Sequence, residues 1–367
     1  MFRVIVMLLC LPAAAVATEP DRLFQSDEML DITLRGPFKR IMETRSVDDE
    51  EAGQLIYIND AGETVTLDVK LRSRGNYRRK DSICEFSPLR LNLQKSAVKD
   101  TLFHKQDKLK LVTHCVPRET RFAQGVIREY LVYRMLNILT DQSFRVRLLR
   151  ITYEETELKR RDEIEYGFLI EHKDRLGKRL DLEPVDGIGR IKTRQVEQTH
   201  LAIGSVFQYM IGNTDFSPVS SSEEQDCCHN HSLFMAADGK YVSIPYDFDM
   251  TGFVNAEYAR PNPRFGLRTV KARLYRGRCW HNDLLPDTLQ RFRDERETFT
   301  ALIEAQPQLE KSIRNSLLRY MNEFYKTIDD PKKVESRLVK RCLGSSRVAA
   351  NPVTDDFRQS WVNVVAD

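Results

Sequence analysis

The sequence is as informative for what it lacks as for what it contains. It has no excess of charge of one sign, because 57 Lys and Arg are balanced by 54 Asp and Glu, for a net charge of +3. This balance argues against a dedicated nucleic-acid binder, in which basic side chains outnumber acidic ones and cluster. No segment beyond residue 17 is long and apolar enough to cross a bilayer. There is also no internal repeat or low-complexity tract, so we expect one large domain or two lobes.

The amino-terminal residues have the pattern of a secretory signal peptide. Arg3 begins a short basic region, residues 4–11 are apolar, and Ala15-Val16-Ala17 has the small residues of a cleavage site. The apolar run is too short for a membrane span. We therefore expect residues 1–17 to be a signal peptide and the remainder to be a soluble, exported protein, either periplasmic or secreted.

Cysteine usage agrees with export. One of the seven cysteines, Cys10, falls in the expected signal peptide. An even number then remains, which predicts a disulfide framework in an oxidising compartment: Cys84, Cys115, Cys227, Cys228, Cys279 and Cys342. We expect Cys84 to pair with Cys115, since both lie in the strand-rich first half, and Cys227 and Cys228 to reach Cys279 and Cys342 in either order. The cysteines and histidines at 227–231 also have the chemistry of zinc ligands, but export favours disulfides.

Hydrophobic periodicity divides the chain into two halves. Alternating apolar residues predict strands at 55–58, 65–71, 89–93 and 109–111, with a helix at about 119–139 and further strands at 144–148 and 167–171. Helices dominate afterwards, at 196–211 and 309–324.

This order of elements predicts an α+β protein with a protein-kinase-like, two-lobed fold, although other α+β enzymes have a similar order of strands and helices. In this interpretation residues 18–170 form a small, β-rich, nucleotide-binding N-lobe with one inserted helix. Residues 171–342 form a larger, helical, catalytic C-lobe, and residues 343–367 form a tail.

Polar side chains with the chemistry of a phosphoryl-transfer site lie between residues 211 and 250. In HNHSLFMAADGKYVSIPYDFDM, residues 229–250, a predicted strand at 241–246 runs into Asp247 and Asp249. Asp215 in IGNTDF follows a predicted buried helix, and Asn230 lies between Asp215 and Asp247 in the sequence. Phosphoryl transfer needs cations or metals on the phosphates and a carboxylate to orient the attacking hydroxyl. Magnesium prefers a few carboxylate or amide oxygens together with nucleotide phosphates.

The segment GNTDF…HNHSLFMAADGKYVSIPYDFDMTG resembles the end of the catalytic core of the CotH-type kinases, which are exported atypical kinases related to the spore-coat protein H family. Upstream, LRSRGNYRR, SPLRLNL, DKLKLVTHC and YGFLIEHKDRLGKR are similar to that family in the same order. The resemblance extends from about Val65 to Gly252, and residues 215–249 are its most specific part.

The resemblance implies an ATP-dependent kinase that uses Mg²⁺ or Mn²⁺ and transfers the γ-phosphate to a hydroxyl of a protein or small-molecule acceptor. Asp215 would be the catalytic carboxylate, and Asn230 and Asp247 would be metal ligands, with Asp249 as a further candidate. Glu171 would lie where the adenine edge is read. The family does not rely on a GxGxxG loop, and none is present.

Two departures from the family pattern affect the phosphate-binding residues. The insertion PVSSSEEQDCC separates Asp215 from Asn230, and Arg90 and Asn92 stand where the family tends to have lysine. Arg74, Arg90 and Lys110 therefore all remain candidates for the cation that grips the phosphates. Glu129, on the inserted helix, is a candidate partner for that cation.

Two rival functions remain open. A metal-dependent phosphoesterase or nuclease would use Asp247 and Asp249 on two ions. A non-catalytic, pseudokinase-like protein would retain the fold for binding or for a structural role.

Overall fold

The computed structural model describes residues 21–158, 161–221 and 226–344. In this part of the chain there are ten strands and eight α-helices. The strands are β1 (Leu30–Gly36), β2 (Glu51–Ile58), β3 (Thr64–Ser73), β4 (Leu89–Leu93), β5 (Lys108–Val112), β6 (Val146–Glu155), β7 (Glu163–Ile170), β8 (Glu183–Pro184), β9 (His231–Met235) and β10 (Tyr241–Pro245). The helices are α1 (Phe38–Thr44), α2 (Thr120–Leu139), α3 (Lys173–Leu180), α4 (Gln198–Ile211), α5 (Leu285–Asp294), α6 (Arg296–Glu304), α7 (Lys311–Ile328) and α8 (Pro331–Arg337).

Seven strands form a closed barrel in the order β1-β2-β3-β4-β5-β7-β6. All neighbours are antiparallel except β1 and β6, which run parallel with Leu30 opposite Leu149 and Gly36 opposite Glu155. The alternation of apolar and polar residues places the apolar side chains inside the barrel. In β4, for example, Leu89, Leu91 and Leu93 are buried and join the barrel core.

The predicted protein-kinase-like, two-lobed fold with a small β-rich N-lobe is wrong. The strands close into a mixed seven-stranded barrel because β1, which the sequence analysis did not identify, pairs with both β2 and β6. The barrel is also not separated from the helices by a lobe boundary. A second, larger core joins barrel residues such as Phe168 to α2, α4 and the carboxyl-terminal helices.

An aromatic cluster shows how this larger core crosses from the barrel to the helical part. The ring of Tyr133 on α2 lies 5.6 Å from that of Phe168 on β7 and 4.7 Å from that of Phe248, which follows β10. Phe248 in turn contacts Phe207 on α4, with 5.7 Å between ring centres. Helix α2 is thus buried on several sides, and it fixes the barrel against the segment that carries Asp247 and Asp249.

A small antiparallel sheet completes the architecture. Its order is β10-β9-β8, and β9 and β10 are joined by the turn after Met235. The predicted strand at 241–246 is confirmed as β10, which ends at Pro245. The predicted helices at 119–139, 196–211 and 309–324 are confirmed as α2, α4 and α7. All seven barrel strands precede residue 171, but the proposed domain boundaries stay a prediction.

Three disulfides connect the described residues. Cys84–Cys115 is confirmed, whereas the predicted links from Cys227 and Cys228 to the carboxyl-terminal cysteines are wrong. Cys227 bonds to its neighbour Cys228, and Cys279 bonds to Cys342. The physical reason is placement, since Cys227 and Cys228 are buried in a small cluster with Ile191, Val196 and Leu233, to which neither carboxyl-terminal cysteine belongs.

No helix in the described ranges is long and apolar enough to cross a membrane. The expected signal peptide, residues 1–17, and most of the expected tail lie outside those ranges.

Candidate active site

One cleft brings together most of the predicted site residues. We call it the active cleft; its volume is about 630 Å³, and it lies between the outer face of β3–β5 and the segments that follow α4, precede β9 and follow β10. Eight of the predicted residues line it: Arg74, Arg90, Lys110, Glu129, Asp215, Asn230, Asp247 and Asp249.

The barrel contributes a row of cations to the active cleft. In the strand register Arg72 is opposite Arg90, and Arg90 is opposite Lys110. Since neighbouring strands lie about 4.8 Å apart and these side chains share the outer face, their charges are close together. Arg74 follows directly after β3 and lines the same wall.

Three of these four cations have no carboxylate partner in the described part of the chain, whereas Arg72 lies 3.9 Å from Glu50. Arg74, Arg90 and Lys110 form no ion pair with any described carboxylate; the Lys110 ammonium lies 4.5 Å from the centre of the Tyr246 ring. Burial, followed by repulsion from Arg74, lowers the pKa of Lys110 to about 7, although Asp247 opposes the shift. Burial and repulsion from Arg72 and Arg74 lower the pKa of Arg90. A row of partly buried cations without anionic partners is a suitable environment for phosphate oxygens.

Asp215 is held on the opposite wall by a dense set of hydrogen bonds. Gly212 ends α4 in the left-handed conformation with φ of 67°, and the main-chain N–H of Asp215 donates to Asn213 Oδ1 at 2.8 Å. The carboxylate contacts His229 Nε2 at 2.9 Å and accepts from Asn230 Nδ2 at 3.2 Å. The hydrogen bond to His229 is the main reason that the pKa of Asp215 is lowered, so this carboxylate is ionised.

Asn230 and Asp247 present oxygen atoms to the active cleft that no described residue uses. The amide nitrogen of Asn230 donates to the main-chain oxygen of Asp215 at 2.6 Å, which leaves Oδ1 without a donor. The main-chain N–H of Asp247 donates to the Tyr133 hydroxyl at 2.9 Å, while its exposed carboxylate has no hydrogen bond or ion pair. Both residues have positive φ, 54° and 63°, and both lie just outside the strands, Asn230 before β9 and Asp247 after β10.

Asp249 is buried beside Asp247. It accepts a hydrogen bond from the Tyr258 hydroxyl at 2.9 Å through Oδ2. Burial, reinforced by the charge of Asp247, raises the pKa of Asp249 to about 7. The ionised form of Asp249 is therefore destabilised by its neighbour. A cation bound between the two carboxylates would offset this repulsion.

Glu129 pairs with an arginine that the sequence analysis did not single out. Its Oε2 lies 4.0 Å from Nη1 of Arg78, and both side chains are almost fully buried. Arg78 also donates to the main-chain oxygen of Thr113 and lies 5.7 Å from the Tyr258 ring centre. Burial raises the pKa of Glu129, and Asp249 adds to the effect. This pair joins α2 to the RGNYRR segment, and both residues line the active cleft.

Glu171 does not line the active cleft. Its two carboxylate oxygens bind the Arg179 guanidinium at 3.0 and 2.9 Å, and one of them also accepts from the main-chain N–H of Arg145 at 3.1 Å. The side chain is buried in this arrangement at the start of α3. It is therefore committed to holding α3 against the barrel.

The side chains of the active cleft could supply some of the oxygen ligands of a divalent cation. No three His, Cys, Asp or Glu side chains of the described ranges form a ready-made metal site. The donor set is instead mixed: Asn230, Asp247 and Asp249 all line the active cleft, and Asn230 Oδ1, the Asp247 carboxylate and Asp249 Oδ1 accept no hydrogen bond from a described residue. In Mg²⁺ and Mn²⁺ sites on nucleotides, a few protein oxygens typically fill part of the coordination shell, and phosphate oxygens and water complete it.

Sequence reasoning missed four residues that shape the site. Arg78 lies in the quoted LRSRGNYRR segment, and His229 is adjacent to Asn230, so proximity to those motifs was an available signal. Tyr133 had no such signal, because its spacing on α2 is that of a core residue. Arg276 lies far away in sequence, yet it donates to the main-chain oxygens on both sides of Asp215, those of Thr214 at 2.9 Å and Phe216 at 2.7 Å.

No protein-family model matches this sequence, and comparison with curated proteins finds no relative. The function is therefore argued from the chemistry of the active cleft.

Proposed function

We propose that the protein is an exported phosphotransferase that transfers the γ-phosphate of ATP to a hydroxyl of a protein or small-molecule acceptor. One observation carries the proposal: a single cleft is lined by barrel cations and by carboxylate and amide oxygens that have no ion-pair or hydrogen-bond partner among the described residues. A ligand that satisfies both walls carries several negative charges together with a divalent cation, as a metal nucleotide does.

The side chains have separate roles in this proposal. Arg74, Arg90 and Lys110 bind phosphate oxygens, and Asp215 orients the acceptor hydroxyl. Asn230, Asp247 and Asp249 would hold Mg²⁺ or Mn²⁺, which when bound neutralises charge on the transferring phosphoryl group. His229 and Arg276 position Asp215, the first through its carboxylate and the second through the flanking carbonyl groups.

Two further facts support the proposal. The segment from Asp215 to Asp249 resembles that of the CotH-type kinases. The disulfides, which are favoured in oxidising compartments, agree with an exported protein.

The test combines binding and turnover. Thermal unfolding is followed with ATP alone, Mg²⁺ alone, Mn²⁺ alone, and ATP with either metal. ATP with metal at a hundredfold excess over its dissociation constant should add about 2.7 kcal/mol to the free energy of unfolding. Transfer is then measured with γ-labelled ATP and a mixture of protein and small-molecule acceptors. A protein that is not stabilised by ATP under any metal condition contradicts the proposal.

Two further observations each favour a rival function, and the same experiments distinguish these functions from the proposed one. The closeness of Asp247 and Asp249 suits a metal-dependent phosphoesterase, which would hydrolyse a model phosphodiester without ATP. The engagement of both Asp215 oxygens by His229 and Asn230 suits a nucleotide-binding protein without turnover, which would show the thermal shift alone.

A further inference from the structure

A second cleft, of about 350 Å³, lies between the β4–β5 connection and α3. We call it the basic cleft and define it by five cationic lining residues: Lys95, Lys99, Lys105, Arg175 and Lys178. Only two carboxylates, Asp107 and Asp174, share the lining. The chain as a whole is almost neutral, with 57 basic and 54 acidic residues, so this concentration of positive charge is local.

Three of these cations have no carboxylate partner in the part of the chain that the structure describes. Lys95 is bound to Asp107 with 3.2 Å between Nζ and Oδ2, and Arg175 donates from Nε to Asp21 at 2.8 Å. Lys99, Lys105 and Lys178 are exposed and form no ion pair with any described carboxylate. They also come from two different elements, the β4–β5 connection and α3, so their charges converge on one space.

The basic cleft adjoins the active cleft. Ile170, the last residue of β7, lines the active cleft, and His172, two positions later, lines the basic cleft. His172 also feels the charges of Arg90 and Lys110 in the active cleft. The amino-terminal end of α3 is fixed by His172 Nδ1, which accepts from the Asp174 N–H at 3.3 Å. A bound chain can therefore extend from one cleft to the other around the start of α3.

We propose that the basic cleft binds an acidic segment of a protein acceptor and thereby places a neighbouring serine, threonine or tyrosine hydroxyl in the active cleft. This inference rests on the proposed phosphotransferase function and names its acceptor class. Exposed lysines on a rim contribute mainly to encounter and selection of partners, which is the role that acceptor docking requires.

The charge pattern favours an acidic peptide over a nucleic acid. Nucleic-acid binding requires an extended track of cations that matches the repeating phosphates. Here the cations are confined to a small cleft, and Asp107 and Asp174 interrupt them. A peptide with irregularly spaced acidic side chains can avoid these two carboxylates, whereas the sugar–phosphate backbone of a nucleic acid carries a charge at every repeat.

The test uses charge reversal in the full chain. The variant K99E/K105E/K178E is compared with the matched control K271E/K311E/K332E, which changes the net charge equally at exposed lysines outside both clefts. The probe is a fluorescent peptide with a central serine flanked by glutamates, and its companion has glutamine in place of glutamate. Binding is measured by fluorescence anisotropy at low and physiological salt.

We expect K99E/K105E/K178E to weaken binding of the acidic peptide by about tenfold or more, because three favourable charge contacts become repulsive. The control variant should bind like the parent chain, and the glutamine peptide should bind weakly to all three. Equal affinity in the two variants, or equal affinity for the two peptides, overturns the inference. Tighter, lysine-dependent binding of single-stranded DNA overturns it in favour of a nucleic-acid site.

The two proposals can fail separately. Stabilisation by ATP should be unchanged in K99E/K105E/K178E, because none of the three lysines lines the active cleft. If the parent chain shows no ATP effect but binds the acidic peptide through these lysines, the phosphotransferase function fails and the basic cleft stands. If ATP binding and transfer occur without any effect of the charge reversal, only the acceptor class is wrong.

Discussion

The hydroxyl of Tyr133 accepts a hydrogen bond from the main-chain N–H of Asp247 at 2.9 Å, although the two residues are 114 positions apart. This contact connects α2 to the end of β10 at the wall of the active cleft. Asp247 adopts a left-handed conformation there, with φ of 63°. The hydroxyl of one core tyrosine therefore fixes the backbone that presents a candidate metal ligand.

Replacement of Tyr133 by phenylalanine should lower the free energy of unfolding by about 1–3 kcal/mol, because the Asp247 N–H loses its acceptor while the ring packing is kept. Urea denaturation measures this change. The matched control is Tyr166→Phe, since the Tyr166 hydroxyl makes no hydrogen bond with the described residues. Equal stability of the two variants would mean that the Tyr133 contact contributes nothing.

The variants Asp215→Ala and Asp247→Ala separate the two roles on the acidic wall. Asp215→Ala should reduce phosphate transfer by about 10²–10⁴-fold while stabilisation by ATP with metal persists, because the proposed role of this residue is to orient the acceptor hydroxyl. Asp247→Ala should remove both transfer and the metal-dependent part of the stabilisation. Asp238→Ala, at an exposed turn, is the control. Normal transfer by the Asp247 variant would show that the metal assignment is wrong.

Lys110 should make stability depend on pH. Its pKa is lowered from 10.5 to about 7, mainly by burial, with Arg74, Arg90 and Lys173 adding repulsion and Asp247 opposing it. Between these two values the unfolded chain holds a proton that the folded protein has released. The free energy of unfolding therefore gains a term from Lys110 that rises with pH across this window.

Replacement of Lys110 by methionine should remove this pH-dependent contribution to the free energy of unfolding. Compared at pH 7 and pH 9 by urea denaturation, the parent chain should gain stability relative to the variant at the higher pH. A difference that is constant, or that shrinks with pH, would mean that the ammonium is not disfavoured in the active cleft.

The disulfides should differ in their effect on stability. Cys279–Cys342 spans 63 positions and Cys84–Cys115 spans 31, so the chain-entropy relation predicts about 4 kcal/mol for each. Cys227–Cys228 joins neighbours and encloses no loop, so its removal should cost little by this mechanism. Double replacement of each pair by alanine, followed by thermal unfolding, checks the order. A loss for the Cys227–Cys228 pair as large as for Cys279–Cys342 would contradict the entropic account.

Local patterns predicted much of the secondary structure. The alternation of Leu89, Leu91 and Leu93 gave β4 at its observed bounds, because inward and outward side chains follow a period of two within one strand. Closure of the barrel depends instead on β1, which pairs with strands that lie before and after α2. Such non-local pairing is invisible to periodicity, and the lobed fold was inferred in its place.

The candidate site shows the same limit. Asp215, Asn230 and Asp247 were found because carboxylates and amides after apolar segments are a local signal. The Glu129–Arg78 pair and the support of the Asp215 loop by Arg276 depend on which surfaces meet in three dimensions. For Glu171 the resemblance implied a place at the adenine edge, which stays a prediction; the structure adds that its carboxylate binds the Arg179 guanidinium, a contact that local sequence does not reveal.

The aromatic contacts of Tyr133 with Phe168 and Phe248 have a consequence for how a ligand reaches the active cleft. They connect strand β7 of the barrel to the segment bearing Asp247 through one continuous hydrophobic core. A hinge motion that swings the two walls apart would have to expose these rings to water, at a cost of several kcal/mol. In the proposed phosphotransferase, nucleotide entry and product release should therefore proceed by rearrangement of side chains at the mouth of the active cleft, while the two walls keep a fixed separation.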